Sequence, residues 1–154
     1  MKSKSLLFLL SFFILISCDK KSVYSEFYKN NKDNRWLKSD TKTFQFTIED
    51  STQLYDLDFN FSHVYDYQFT SVPINFEIEN PKGVKENFTI DLMIKDNSGK
   101  EIGDCSGDIC DLKYKIKPET KLEKGTYKII ISNGFKREYL PNVIGLGLEV
   151  SKLN

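Results

Sequence analysis

From residue 41 onward the apolar positions recur with a period of two. Thr43-Phe44-Gln45-Phe46-Thr47-Ile48, Leu57-Asp58-Phe59-Asn60-Phe61 and Ile74-Asn75-Phe76-Glu77-Ile78-Glu79 alternate polar with apolar, which predicts strands with one buried and one wet face. Phe88 to Ile94, Leu112 to Ile116, Tyr127 to Ile131 and Val143 to Val150 continue the series, and Tyr65, Tyr67 and Phe69 alternate as if along one more strand. Between them stand turn formers: Glu49-Asp50-Ser51, Asn80-Pro81-Lys82-Gly83, Asp96-Asn97-Ser98-Gly99, Lys117-Pro118, Lys124-Gly125 and Pro141-Asn142. Asn97-Ser98-Gly99 before Lys100-Glu101-Ile102 reads as a hairpin, because Gly supplies the positive φ of a tight reversal. No stretch carries a 3.6-residue period. The expectation is an all-β chain, an antiparallel β-sandwich of about eight strands over residues 41–154, with immunoglobulin-like and jelly-roll connectivities both open.

The first forty residues follow other rules. Lys2 and Lys4 precede an apolar run, Leu6 to Ser17, that stops at Cys18-Asp19-Lys20-Lys21. Twelve residues are too few for a bilayer span of roughly 20 but suit the apolar region of a signal peptide. Leu15-Ile16-Ser17-Cys18 has the form of a bacterial lipobox: small residues admit the peptidase, and the thiol carries diacylglycerol before cleavage. Residues 1–17 are therefore expected to be a removed lipoprotein signal, and Cys18 a lipidated residue anchoring the chain to a membrane. Residues 18–40, rich in Lys, Asn, Asp and Ser, read as a tether. Cys18 to Ser22 is its flexible spacer, and Trp36-Leu37 docks on the sandwich edge.

Charge excludes some partners. The leader holds two of the 22 basic residues and none of the 22 acidic ones, which leaves −2 on the mature side chains. There is no basic stripe for nucleic acid. Cys105 and Cys110, in GDCSGDICD, stand beyond the cytoplasmic membrane and are expected to pair. The nearby glycines let a four-residue spacer turn back, and closing so short a loop contributes roughly 2 kcal/mol. One C-x₄-C with the lone His63 offers too few ligands for zinc, and Asp104, Asp108 and Asp111 fit no EF-hand spacing. The expectation is no metal and no cofactor.

Chemistry is equally sparse. Ser62 and Asp66 beside His63 do not make a triad, because neighbours on a strand point to opposite faces. His63 reads as a hydrogen-bonded histidine at a strand end, and Gly145-Leu146-Gly147 as close sheet packing or a bulge rather than a phosphate loop. Aromatics carry what binding signal there is: Trp36, Tyr65 and Tyr67 are the candidate contact residues, weighed against plain core roles.

Several segments together resemble the GldH family of gliding-motility lipoproteins of Bacteroidota. They are Val23 to Phe27, Trp36, Asp58 to Tyr67, Ser71 to Phe76, Gly107 to Leu112, and Tyr139 to Val143 with Gly145-Leu146-Gly147-Leu148. The resemblance covers the mature chain and implies a cell-envelope lipoprotein required for gliding motility and associated with the type IX secretion system; the leading expectation is a non-enzymatic component of that machinery that binds envelope partner proteins. It implies no cofactor and no catalytic residue. Surface-displayed lipoproteins of that phylum resemble one another in acidic residues after the cysteine, whereas Asp19-Lys20-Lys21-Ser22 is mixed. A periplasm-facing anchor is the expectation. The competing reading is a glycan-binding lipoprotein of polysaccharide uptake.

Overall fold

The computed structural model describes residues 21–30 and 33–153. The expected signal segment 1–17 and Cys18 lie outside the described residues. Eight long strands build the molecule: β1 (Lys21–Lys29), β3 (Lys42–Ile48), β4 (Leu54–Val64), β5 (Ser71–Glu79), β6 (Lys85–Met93), β8 (Ile109–Lys121), β9 (Gly125–Asn133) and β11 (Val143–Lys152). Three short ones, β2 (Trp36–Leu37), β7 (Asp104–Ser106) and β10 (Tyr139–Leu140), complete the described set.

Two antiparallel layers face each other. One runs β1-β11-β4-β8-β7 and the other β3-β9-β5-β6, with β2 and β10 paired as a separate ribbon. Counting only the long strands in chain order, the layers read first-eighth-third-sixth and second-seventh-fourth-fifth. That is jelly-roll connectivity, in which successive strands cross repeatedly between layers. It decides between the two arrangements the sequence left open.

Alternation explains the core. In β4, Leu57, Phe59, Phe61 and His63 point inward, and in β5 Val72, Ile74, Phe76 and Ile78 do. The layers meet edge-on where the Phe59 and Phe76 rings lie 5.3 Å apart, and Phe46 stacks on Tyr127 at 5.4 Å. Such ring pairs contribute about 0.5–1.5 kcal/mol each beyond their buried area.

Two expectations change. Residues 21–29, read as part of a tether, form an edge strand in which Lys21 and Ser22 already pair with Lys152 and Ser151. The sandwich therefore begins well before residue 41. Tyr65, Tyr67 and Phe69, read as a strand, lie in the bend after β4. Asp66 there takes φ = 56°, which breaks the ladder and sends neighbouring side chains in unrelated directions.

Gly145 and Gly147 make room for β1. A Cβ at either would fall within 3 Å of the Phe27 ring, which crosses them, and of the backbone carbonyls of Tyr28 and Glu26. The bulge in β11 between Val143 and Gly145 lies beside them.

Candidate functional site

The inward file of β4 ends at His63, and this end of the sandwich gathers its unusual polar side chains. His63 stands opposite Cys110 of β8, which stands opposite Cys105 of β7. Antiparallel partners share a face, so the three side chains lie in a row. Cys105 and Cys110 are joined in a disulfide with Cα atoms 4.0 Å apart. The hairpin between them turns through Gly107-Asp108, with Gly107 at φ = 59° in the first central position, where a type II′ turn requires it.

A second hairpin brings the partner of His63. Asp96 Oδ1 accepts from Ser98 N at 2.8 Å and Lys100 N at 3.0 Å, Gly99 turns the chain at φ = 83°, and Lys95 bridges back to Glu101. Those bonds, the Ser98 hydroxyl first, hold the Asp96 carboxyl below its ordinary pKa. The hairpin carries Glu101 over the chain end of β4. Its Oε1 accepts from Tyr67 N at 2.9 Å, and its Oε2 lies 4.0 Å from His63 Nε2.

The tautomer of His63 follows from its neighbours. Nδ1 lies 2.9 Å from the Val64 carbonyl, which can only accept, so Nδ1 carries a proton and donates. In the neutral ring Nε2 is then an acceptor, and it faces a carboxylate oxygen. His63 Nε2 and Glu101 Oε2 are both buried and neither has a hydrogen-bond partner among the described residues. The two side chains are 0% and 8% exposed, so water does not readily relieve them.

Around the pair the packing is aromatic. The Tyr67 ring lies 4.9 Å from the imidazole, and its hydroxyl donates to the Pro141 carbonyl at 2.8 Å. Burial pushes that phenol well above its ordinary pKa. Outside, Lys95 binds Asp66 at 2.9 Å and stands 3.9 Å from Glu101 Oε1. The Asp66 contact raises the Lys95 pKa, and Lys95 lowers that of Asp66. A pocket of about 370 Å³ opens here, lined by Tyr65, Asp66, Lys95, Glu101, Asp104 and Cys105 among others.

Of the candidate contact residues, Trp36 is 0% and Tyr67 1% exposed, whereas Tyr65 is 56% exposed at the pocket. Trp36 donates from Nε1 to the Asp40 carbonyl at 2.7 Å, and its own carbonyl receives Asn133 Nδ2 at 3.1 Å. It is core, and so is Tyr67, because the chain folds their apolar bodies inward and gives each polar tip an internal acceptor. Ser62 points to the opposite face from His63 and donates to Asp111, so the two form no nucleophile–base pair. His63 itself is fully buried, its ring against those of Phe61 and Tyr67.

Sequence reasoning missed Glu101. Among the described residues, His63, Glu101 and Cys110 are grouped closely enough to hold a metal ion, their donor atoms all within 4.8 Å of one another. The sequence counted two cysteines and one histidine and found too few ligands. The carboxylate comes from a hairpin 38 residues beyond His63, and only the strand order reveals it.

Residues 22–150 match the family model described as GldH lipoprotein. The chain belongs to that family. It is 28% identical over 154 residues to the "Gliding motility lipoprotein GldH homolog" of Christiangramia forsetii, covering 95% of this chain and 93% of the relative. It is 30% identical over 128 residues to the "Gliding motility lipoprotein GldH" of Flavobacterium johnsoniae, covering 83% and 79%. Among solved structures, CBM35 from Cellvibrio japonicus Abf62 aligns over 88% of this chain and 93% of its own at 12% identity, with a TM-score of 0.37. That likeness is too distant to carry an argument. As a GldH lipoprotein, the chain presents at this end a sandwich tip with one exposed tyrosine, a stapled hairpin and a buried His–Glu pair at the floor of a pocket.

Proposed function

We propose that this chain is a gliding-motility lipoprotein: a non-enzymatic sandwich that binds partner proteins of the gliding and type IX secretion machinery. Acyl chains on Cys18 hold it in the cell envelope, facing the periplasm. The names of the two relatives described above support the motility role, and family membership supports the anchor. Two or three acyl chains, each adding about 0.8 kcal/mol per buried CH₂, make such an anchor effectively permanent, where a single chain binds reversibly. The mixed charge of Asp19-Lys20-Lys21-Ser22 supports the periplasmic orientation.

The observation that carries the binding role is the exposed apolar set at the pocket end. Tyr65, Ile102 and Ile109 are all substantially exposed. They sit on frames that do not move freely: Tyr65 N donates to the Asp108 carbonyl at 2.9 Å, and Ile109 pairs with Val64. Aromatic anchors on a rigid frame suit protein recognition, in which a few residues carry most of the energy.

Two cellular measurements test this. Cys18→Ser is expected to abolish labelling by a palmitate analogue and leave an unprocessed precursor, and undiminished label would sink the lipoprotein assignment. Tyr65→Ser with Ile109→Ser is expected to impair colony spreading and adhesin secretion and to lose crosslinks to motor or secretion-channel proteins, with an unchanged melt. Retention of the purified protein on polysaccharide columns, with no protein crosslinks at all, would favour glycan binding instead. Loss of gliding on His63→Gln in a folded, anchored protein, with the surface variants silent, would reopen an enzymatic reading.

A further inference from the structure

The His63–Glu101 pair has a geometry that structure alone does not require. His63 Nε2 and Glu101 Oε2 face each other 4.0 Å apart inside the protein, and neither has a hydrogen-bond partner among the described residues. Each is oriented from behind. The far nitrogen of His63 donates to the Val64 carbonyl, and the far oxygen of Glu101 accepts from Tyr67 N. An imidazole and a carboxylate each fixed by a bond on the far side is how metal ligands are commonly held. The third member of the group is the sulfur of Cys110, across the ladder from His63.

We infer that His63 Nε2, Glu101 Oε2 and the Cys110 thiolate form a latent site for a zinc-class divalent cation, kept closed by the Cys105–Cys110 disulfide and opened by its reduction. Imidazole, carboxylate and thiolate are the donors such an ion takes, and around one ion they stand roughly 3.3–3.8 Å apart. The present separations, all within 4.8 Å, need only a small contraction. Carboxylate and thiolate together balance a divalent charge, and the charge of Lys95 is already matched by Asp66 at 2.9 Å. Glu101 and Cys105 both line the pocket, which gives the ion a way in.

The disulfide is asymmetric in the useful sense. Cys105 is exposed and Cys110 buried. An external dithiol supplies the two electrons. Its thiolate attacks the Cys105 sulfur, the S–S bond breaks, and Cys110 departs as the thiolate. The second thiol of the reductant then displaces Cys105 by closing its own disulfide. The sulfur released first is the one beside His63. Binding of the ion needs no further electron transfer, and keeps Cys110 deprotonated.

This site is independent of the proposed motility role, and its test reads metal binding directly. The full-length lipidated chain in detergent would be titrated with Zn²⁺ against a chromogenic chelator, and with Co²⁺ for the near-ultraviolet thiolate-to-cobalt band. The oxidised protein is expected to bind no ion specifically and the reduced protein one. Cys105→Ser leaves Cys110 as a free thiol, so it is expected to bind without any reductant. Cys110→Ser, even reduced, should bind at least about 100-fold more weakly, and Glu101→Gln or His63→Gln placed on Cys105→Ser about tenfold or more. Equal binding by the two cysteine variants would mean chelation by any exposed thiol and would overturn the proposal. So would a folded, reduced wild type that takes up no zinc, or Cys105→Ser binding that neither Glu101→Gln nor His63→Gln weakens.

Discussion

On the outer face of β4, Asp56 accepts from Lys115 Nζ at 2.5 Å and Glu119 N at 2.8 Å, Asp58 lies 3.5 Å from Lys113, and Ser62 donates to Asp111. On the inner face of the same strand, His63 has one ring nitrogen bonded and the other facing a carboxylate with no donor between. Both faces bury polar groups, but for different ends. The outer face is a covered ladder: Lys113 and Lys115 of β8 bring their charges to Asp58 and Asp56 of β4, so both acids of the strand have a cation beside them. At the inner end the Lys95 ammonium reaches only Glu101 Oε1, at 3.9 Å, and Oε2 and His63 Nε2 have no hydrogen-bond partner among the described residues. The lesson is that burial alone does not mark a functional group. A buried group whose partners are complete is a structural device, and a group held rigidly from behind with nothing in front is the one to test for a ligand.

The same chemical change should then have opposite consequences on the two faces. Asp56→Asn replaces a carboxylate that, among the described residues, accepts from the Lys115 cation and from the backbone of Glu119, itself held at φ = 44°. Losing the charge-assisted bonds is expected to cost about 2–3 kcal/mol in urea unfolding. Glu101→Gln keeps an oxygen for Tyr67 N and offers the bare His63 Nε2 an N–H donor. It is expected to stay within about 0.5 kcal/mol of wild type or to exceed it, since only a loose 3.9 Å contact to Lys95 is lost. Equal losses at both positions would erase the distinction between the faces.

That distinction was only half legible in the sequence. The alternation of Leu57, Phe59 and Phe61, extended by two, already puts His63 inward, and the spacing and compartment of Cys105 and Cys110 predict their pairing. Glu101 was invisible because nothing in the sequence says that the 95–101 hairpin lies across the end of β4. The fold shows a similar division. The other seven long strands announce themselves by alternation or by apolar β-branched runs between turn formers, whereas β1 does not. It has apolar Val23 and Phe27 outward, Tyr24, Glu26 and Tyr28 inward, and a bulge between Ser22 and Tyr24 that shifts the period. Its glutamate is tolerated inside because Tyr24 donates to it. Phe27 can face outward because it lies on two glycines of β11 rather than in water alone. Pairing partners, not intrinsic pattern, make β1 a strand.

A smaller effect separates the stapled hairpin from the rest of the sheet. Reducing Cys105–Cys110 releases a loop of only a few residues, so global stability is expected to fall by about 2 kcal/mol or less. Loss should concentrate locally. Amide exchange is expected to accelerate in β7, in the Gly107-Asp108 turn and in the first residues of β8 from Ile109, while β5 and β9 in the other layer keep their protection. Uniform acceleration through both layers would show that the disulfide supports the whole sandwich and not its tip.

The smallest expected effect compares the two ends of β4 through their exposed acids. Before the strand, Asp50 takes Lys152 Nζ at 2.8 Å and the N–H and hydroxyl of Thr52; after it, Asp66 takes Lys95 at 2.9 Å. Lys152 first, then Thr52, hold the Asp50 carboxyl far below its ordinary value of 3.8, and Lys95 lowers Asp66 less specifically. A depressed folded-state pKa means that the unfolded chain binds the proton more readily. The contribution is therefore complete above the unfolded value of 3.8 and disappears as pH falls below it, through the lower folded-state pKa. Asp50→Asn and Asp66→Asn should each reduce the drop in urea midpoint between about pH 6 and about pH 3, Asp50→Asn the more because it has three donors to lose. Both carboxylates are solvated, so about 0.5 M NaCl should shrink the Asp66 difference, which rests on a single hydrogen-bonded ion pair with Lys95. It should spare more of the Asp50 difference, which rests partly on the Thr52 hydrogen bonds. Identical salt sensitivity at the two ends would show that the turn bonds around Asp50 contribute nothing beyond its ion pair.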